Sequence, residues 1–419
     1  MKRALVGLIS VIAAGLGWIF WWHFATEQRI EHLREEIIGA GYPIHIKDIH
    51  PDKVSDANNA YVEFAKWKEK IKAADIAVSG TTEKQTPFLS DKKLSEAEIA
   101  ELTAIMTTHQ TMIDELIQAA DKKYLRIPVE HTQADSYFSN LLDRSQEFRP
   151  ISRILMANVR LKIAQGKQDE GLKNAMATIK WSQLLGQQTT LVNGLTATAM
   201  REMGLQQAAE VLYSGDVNAD SLKLLEMLLQ SFDINQIWKS TIYSEIPIFI
   251  DVFEPKLPSL TRTFGLANSS EATYLFTMKS LADKSILKEG LFVAAFTQND
   301  DAFDPTWMNS LAPAVEATQY SLIRSEAKIR CLLALIQWRR SGGTAKSIEE
   351  LQATGPLQKD PFDGGPLKIQ STEFGPTFYT IGINLKDDGG NQALLQTQKD
   401  IGLMAPETRA KLEAENGEN

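Results

Sequence analysis

The side chains able to do chemistry in this chain are six histidines, one cysteine and several close-set carboxylates. His45, Asp48, His50 and Asp52 form its one local cluster of histidine and aspartate. On a strand, the two-residue period would put Asp48, His50 and Asp52 on one face, as a metal site would need, but no second cluster completes four ligands. Polar connectors carry such residues as ordinary surface. Asp251 with Glu254, and Asp300 and Asp301 with Asp304, are the carboxylate groupings that general acid–base hydrolysis requires, although solvated loops of an acidic protein hold them too. A His-Glu-x-x-His zinc helix, a Gly-x-Ser-x-Gly elbow, a Walker A loop and a dinucleotide fingerprint are all missing. Trp181, Trp238, Trp307 and Trp338 each lie in or beside an apolar stripe and read as core, and Cys331 reads as a small buried hydrophobe. No catalytic residue and no cofactor pocket is assigned.

The elements that must position these residues follow from composition and periodicity. At 419 residues the chain is long for one core and predicts two or three packed units. With 43% hydrophobic and 23% charged residues it is no disordered chain. Lys+Arg number 44 against 53 Asp+Glu, a net charge of −9, which is the wrong sign for a nucleic-acid partner. A single cysteine excludes an intramolecular disulfide and a four-cysteine zinc site.

Met1-Lys2-Arg3 precedes an uncharged run over residues 4–22, which as a helix spans roughly 28 Å, the thickness of a bilayer core. Basic residues before the run and Glu27, Glu31, Glu35 and Glu36 after it place the N-terminus in the cytoplasm and the body outside a cytoplasmic membrane. The lipid bilayer is then a partner through residues 4–22. Trp18, Trp21 and Trp22 suit the lipid–water boundary, and His23 and His32 flank it. A cleaved signal peptide ending near Val11 to Gly15 would leave an apolar Leu16 to Trp22 terminus with no evident use. Ile30, Leu33 and Ile37 continue the helix as an amphipathic stem stopped by Gly39 and Gly41, on which the body would stand off the membrane.

The fold class read from the rest is mainly α: an N-terminal transmembrane helix, a multi-helix body of antiparallel helical hairpins and a small C-terminal β-hairpin module. The expected units are an anchor and stem over 1–41, a helical region over 42–149, a hairpin body with a loop-rich second half over 150–310, a long helix with the β-hairpin over 311–404, and a disordered tail over 405–419. Residues 42–56 read as an extended connector. Ser95-Glu96-Ala97-Glu98 is a capping box opening a helix that carries Leu102, Met106, Ile113 and Leu116. Ile154, Ala157, Leu161 and Ala164, then Leu172, Ala175, Met176, Ile179 and Leu184, are the stripes of two helices hinged at Gly166. Their small residues resemble tetratricopeptide-like hairpins, but no repeat of fixed period runs along the chain. Helices follow over about 191–213 and 219–232, and after Pro313 a long one carries Val315, Leu322, Ile329, Leu332 and Ile336.

Near the C-terminus, Asp360-Pro361-Phe362, the strand-like segments 367–370 and 377–383, the loop Lys386-Asp387-Asp388-Gly389-Gly390 and Asp400-Ile401-Gly402 are found together. Residues 325–404 resemble the C-terminal module of the major pseudopilin of type II secretion. With an Arg160 to Gly166 turn and a single anchor, the whole chain is similar to a group of uncharacterised bacterial membrane-anchored helical envelope proteins. A pseudopilin itself would have a leader and an early glutamate, whereas the first acidic residue here is Glu27. The resemblance implies a calcium site at Asn384, Gln398 and Asp400 with the carbonyl of Ile381. Only Asp400 of these side chains is a carboxylate, so Asp387 and Asp388 would have to supply charge, and the metal candidates become Asn384, Asp387, Asp388 and Asp400. The function expected is a single-pass, membrane-anchored extracytoplasmic scaffold or protein-interaction module with a protein partner in the envelope. The alternatives are an envelope hydrolase using carboxylates of the 233–310 region, or an accessory part of a secretion or pilus-like assembly.

Overall fold

The computed structural model describes residues 2–49, 54–80, 87–90, 92–128, 134–187, 190–253, 266–288, 291–293, 308–353, 355, 357–390 and 399–417. It is mainly helical, about 70% of it in helix, with a small three-stranded antiparallel sheet.

Helix α1 (Lys2–Gly39) is continuous, since no proline interrupts it, and it ends where Gly41 turns the chain with φ +88°. Among the described residues no helix is long and apolar enough to cross a membrane. The side chains of residues 2–16, 19 and 20, most of the apolar run, lie outside the described ones. The stem is no stalk. Ile30, Leu33 and Ile37 are buried in a core shared with Trp238, Leu275, Met278 and Ile323, and Arg34 clamps Glu271 with N–O distances of 3.0 and 2.5 Å. An apolar stripe on a helix must be covered, and here the body covers it.

The connector predicted as extended holds two short 3-10 turns, Ile46–Asp48 and Asp56–Asn58. Helix α2 (Ala60–Ser79) is capped by Asn59, whose side chain accepts from Tyr61 N. The capping box forms as expected, Ser95 with Glu98, but the helix breaks at His109 into α3 (Glu96–Thr108) and α4 (Gln110–Ala119). With α5 (Ala134–Gln146), α6 (Arg149–Ala164) and α7 (Gln168–Gly186) these surround a core in which Phe64, Phe148 and Trp181 line up at 4.3 and 6.1 Å between ring centroids. The α6–α7 hairpin buries the stripes read from sequence, apart from Ala164, which is exposed. Helix α8 (Leu191–Ser214) packs on α7 so closely at Gly204 that a Cβ would stand 2.7 Å from Ile179 Cγ1. Helix α9 (Ala219–Gln230) completes this face.

The segment expected to be loop-rich holds α10 (Ile234–Tyr243), the short α11 (Glu245–Ile248), a π turn at Phe249–Phe253, α12 (Leu266–Asp283) and a hairpin of β1 (Leu287–Lys288) and β2 (Leu291–Phe292). The long helix α13 (Met308–Arg340) begins before Pro313 and contains it. Its first half enters the core shared with α1, and its second half, with Cys331, Leu332 and Ile336, enters a third core with α7, α8 and α9. Burial pushes the Cys331 thiol up, as its reading as a core residue requires.

After α14 (Ile348–Gln352), capped by Ser347, the C-terminal module adds a third strand to the expected hairpin: β3 (Lys368–Thr372), β4 (Gly375–Thr380) and β5 (Ile401–Leu403), with Ile369 opposite Phe378 and Phe378 opposite Leu403. The Asp-Pro-Phe motif has a structural cause. The buried Asp360 carboxylate accepts from Phe362 N at 2.8 Å and Ile381 N at 2.9 Å, tying the turn to the end of β4. Gly382 follows with φ +65° against the carbonyl of Lys399, a position no side chain could share. Tyr213 on α8 donates to the carbonyls of Pro376 and Leu403 at 2.7 and 3.2 Å and so fastens the sheet to the helices. The disordered tail expected over 405–419 is instead helix α15 (Pro406–Gly417), held by Thr408 to Thr372 at 3.0 Å.

Candidate functional site

Two groups that the sequence kept apart meet in the structure. The π turn presents Asp251 to the connector, where its Oδ1 lies 2.8 Å from His45 Nδ1 and its Oδ2 accepts from Ile46 N at 2.6 Å. A π turn adds a residue to the helical register and is often a site where a side chain is re-aimed. The carboxylate can hold the imidazole with its proton on Nδ1, leaving Nε2 as a proton acceptor. Asp48 lies exposed in the same 3-10 turn, and among the described residues no hydroxyl or thiol is bonded to the pair. His50, Asp52, Glu254, Asp300, Asp301, Asp304 and Trp307 lie outside the described residues.

The C-terminal loop spends most of its polar atoms on itself. Asn384 Nδ2 donates to Asp388 Oδ2 at 3.0 Å, and Asn384 Oδ1 accepts from Lys386 N at 3.0 Å. Asp387 Oδ1 accepts from Tyr379 OH at 3.2 Å and Gly389 N at 3.0 Å, while its Oδ2 faces Lys368 Nζ at 3.7 Å. Asp400 is buried, with Oδ2 accepting from Gly390 N at 2.8 Å and Oδ1 without a partner. Burial raises its carboxyl above the usual range, and Asp387 and Asp388 add to the rise. Among the described residues no three metal-binding side chains converge. The implied ligand Gln398 lies outside them.

Aromatic side chains concentrate on α1 at the end of the apolar run. Trp18, Trp21, Trp22 and Phe24 are 64%, 58%, 46% and 53% exposed and spread over roughly 160° of the helix surface. Soluble surfaces rarely bare so many large rings together.

A cleft of about 450 Å³ opens between α9 and the last turns of α13, lined by Glu226, Gln230, Leu333, Gln337, Arg340 and Leu357. Arg340 Nη1 and Glu226 Oε2 pair across it at 2.7 Å. Leu224 and Met227, each 57% exposed, stand on the same helix. Sequence reasoning did not find this face. Its signal is an apolar excess: α9 carries more leucine and methionine than one buried stripe can use.

At the head of α8, Thr190 caps Asn193 N, and Leu191 N donates to Glu245 Oε1 at 2.6 Å. Burial pushes this carboxyl up to about 7 against the lowering effect of that bond. Comparisons with protein-family models, curated proteins and solved structures find no match to this chain.

Proposed function

We propose that the protein is a single-pass, membrane-anchored scaffold of the bacterial cell envelope, its body outside the membrane and its protein-binding face the cleft between α9 and α13. The observation that carries this reading is the division of labour along α1. One unbroken helix has an uncharged run at its start, exposed tryptophans where that run ends and a core-buried stripe in its last turns. Indole rings favour the boundary between lipid and water, so Trp18 to Trp22 mark the level of the headgroups. From Trp22 to Ile30 the helix rises roughly 12 Å, which sets the body directly on the membrane surface. The volume of the cleft suits a short peptide segment, Leu333 and Leu357 in its lining offer apolar contacts, and the Glu226–Arg340 ion pair can fix register.

Reporter fusions at the C-terminus test the placement: alkaline phosphatase should be active there, and a fusion active only in the cytosol would sink the proposal. A photo-crosslinking residue at Gln230, in the lining of the cleft, should capture a defined envelope protein, with capture lost in Leu357→Ser.

A calcium ion at the C-terminal loop belongs to this reading through the pseudopilin resemblance, and the unpartnered Oδ1 of Asp400 supports it. Millimolar calcium should then raise the melting temperature of the wild type but not of Asp400→Asn. The hydrolase alternative draws support only from the His45–Asp251 pair. A His45→Ala variant as active as wild type on envelope polymers would dismiss it.

A further inference from the structure

The cleft between α9 and α13 has three walls. Glu226 and Gln230 come from α9, Leu333 and Arg340 from α13, and Leu357 and Gln358 from the segment after α14. Gln337 on α13 holds that third wall in place, its Nε2 donating to Leu351 O and Gly355 O, each at 2.9 Å. Leu333 and Leu357 pack against the third core from outside and give the cleft an apolar floor.

Charge is balanced within the cleft. Among the described lining residues only Glu226 and Arg340 are charged, and they pair at 2.7 Å. A charged ligand would break that pair or stay unmatched, so the cleft suits an uncharged one, although the chain as a whole carries −9. No described lining residue is aromatic, and a planar ring would find nothing to stack on. What is left to bind with is amide. Gln230 and Gln358 are exposed, and among the described residues neither side chain has a hydrogen-bond partner. A primary amide offers donors and an acceptor in one plane, the complement of the N–H and C=O of a peptide group. An extended strand turns alternate side chains to opposite faces, so amides on two walls can reach its main chain while one side chain in two rests on the leucine floor.

We infer that the cleft binds an uncharged, extended stretch of polypeptide through its main chain, with Gln230 and Gln358 bonding its amide groups from two walls and an apolar side chain seated on Leu333 and Leu357. Resting on the reading of this cleft as the protein-binding face, this narrows the partner to proteins that present an unfolded segment. The bonds go to groups that every residue carries, so the site tolerates many sequences. It rejects folded surfaces, whose main chain is already bonded.

The test is fluorescence polarisation on the full chain in mild detergent, with a dye-capped pentapeptide amide of alternating serine and leucine as probe. Saturable binding with a dissociation constant below about 1 mM is expected. It should change less than about twofold between about 0.05 and 0.5 M salt, because no ion pair with the ligand is there to be screened. N-methylation of alternate amides, made in both registers, should weaken binding about 10-fold in at least one register. Gln230→Met and Gln358→Met, both at exposed positions, should each weaken it about 3–10-fold. No saturable binding, binding by both N-methylated registers as tight as that of the unmodified probe, or unchanged affinity in both glutamine variants overturns the inference. A protein captured at Gln230 in cells without peptide binding overturns it as well, while leaving the protein-binding face in place. Peptide binding without capture supports it and counts against the envelope partner.

Discussion

Replacing Glu245 with glutamine should change how the stability of this protein depends on pH, and the size of the change follows from the carboxylate's place at the head of α8. Its Oε1 accepts from Leu191 N at 2.6 Å, yet burial dominates and raises the group from the usual 4.5 to about 7. The folded state therefore binds this proton more tightly than the unfolded chain. Below pH 4.5 both states carry the proton and the stabilisation is complete. Between pH 4.5 and 7 the unfolded chain ionises first, and above pH 7 the stabilisation is gone. At 1.36 kcal/mol per pKa unit, the loss is on the order of 3 kcal/mol. Glutamine keeps an oxygen for Leu191 N and does not ionise. Glu245→Gln should thus match the wild type near pH 4.5 and exceed it by about 3 kcal/mol at pH 8. Urea unfolding of the full chain in detergent, followed by tryptophan fluorescence at several pH values, measures the difference. Subtracting the two curves cancels every other titrating group. Parallel pH profiles, or a glutamine variant weaker at pH 8, would refute the reasoning.

Three further substitutions probe the packing that positions the candidate sites. Asp360→Ala strips the acceptors from Phe362 N and Ile381 N and leaves both amides buried, so denaturation should show a loss of about 3 kcal/mol. Gly204→Ala drives a methyl to 2.7 Å from Ile179 Cγ1 and 3.1 Å from its nitrogen, and calorimetry should record a cost of about 1–3 kcal/mol. Tyr213→Phe removes the link from α8 to Pro376 and Leu403, which should cost about 1–2 kcal/mol and speed amide exchange in β4 and β5 more than in α6.

Where local pattern decides structure, the sequence was readable. The Ser95–Glu98 capping box, the two stripes hinged at Gly166 and the start of α8 at Leu191 all depend on residues within a few positions of one another. The last helix, expected as a disordered tail, does carry local grammar: Pro406 is a favoured first helical residue, and residues 407–415 are rich in alanine and glutamate. The third strand was missed because Ile401–Leu403 is too short to show a period. Distance in the chain hid the rest. His45 and Asp251 stand 206 positions apart, and no spacing rule connects them. Likewise Ile30, Leu33 and Ile37 announce an apolar stripe without saying what covers it. In the C-terminal loop the candidate residues were visible, but not that Asn384 and Asp388 would bond to each other.

Helix α13 threads two cores. Leu322, Ile323 and Ala327 belong to one, and Ile329, Leu332, Leu335 and Ile336 to the other. The fifteen residues from Leu322 to Ile336 make a helical rod that rises roughly 21 Å from one core to the other. Melting either half strips the rod of its support in the other, so the two halves should come apart in a single cooperative step.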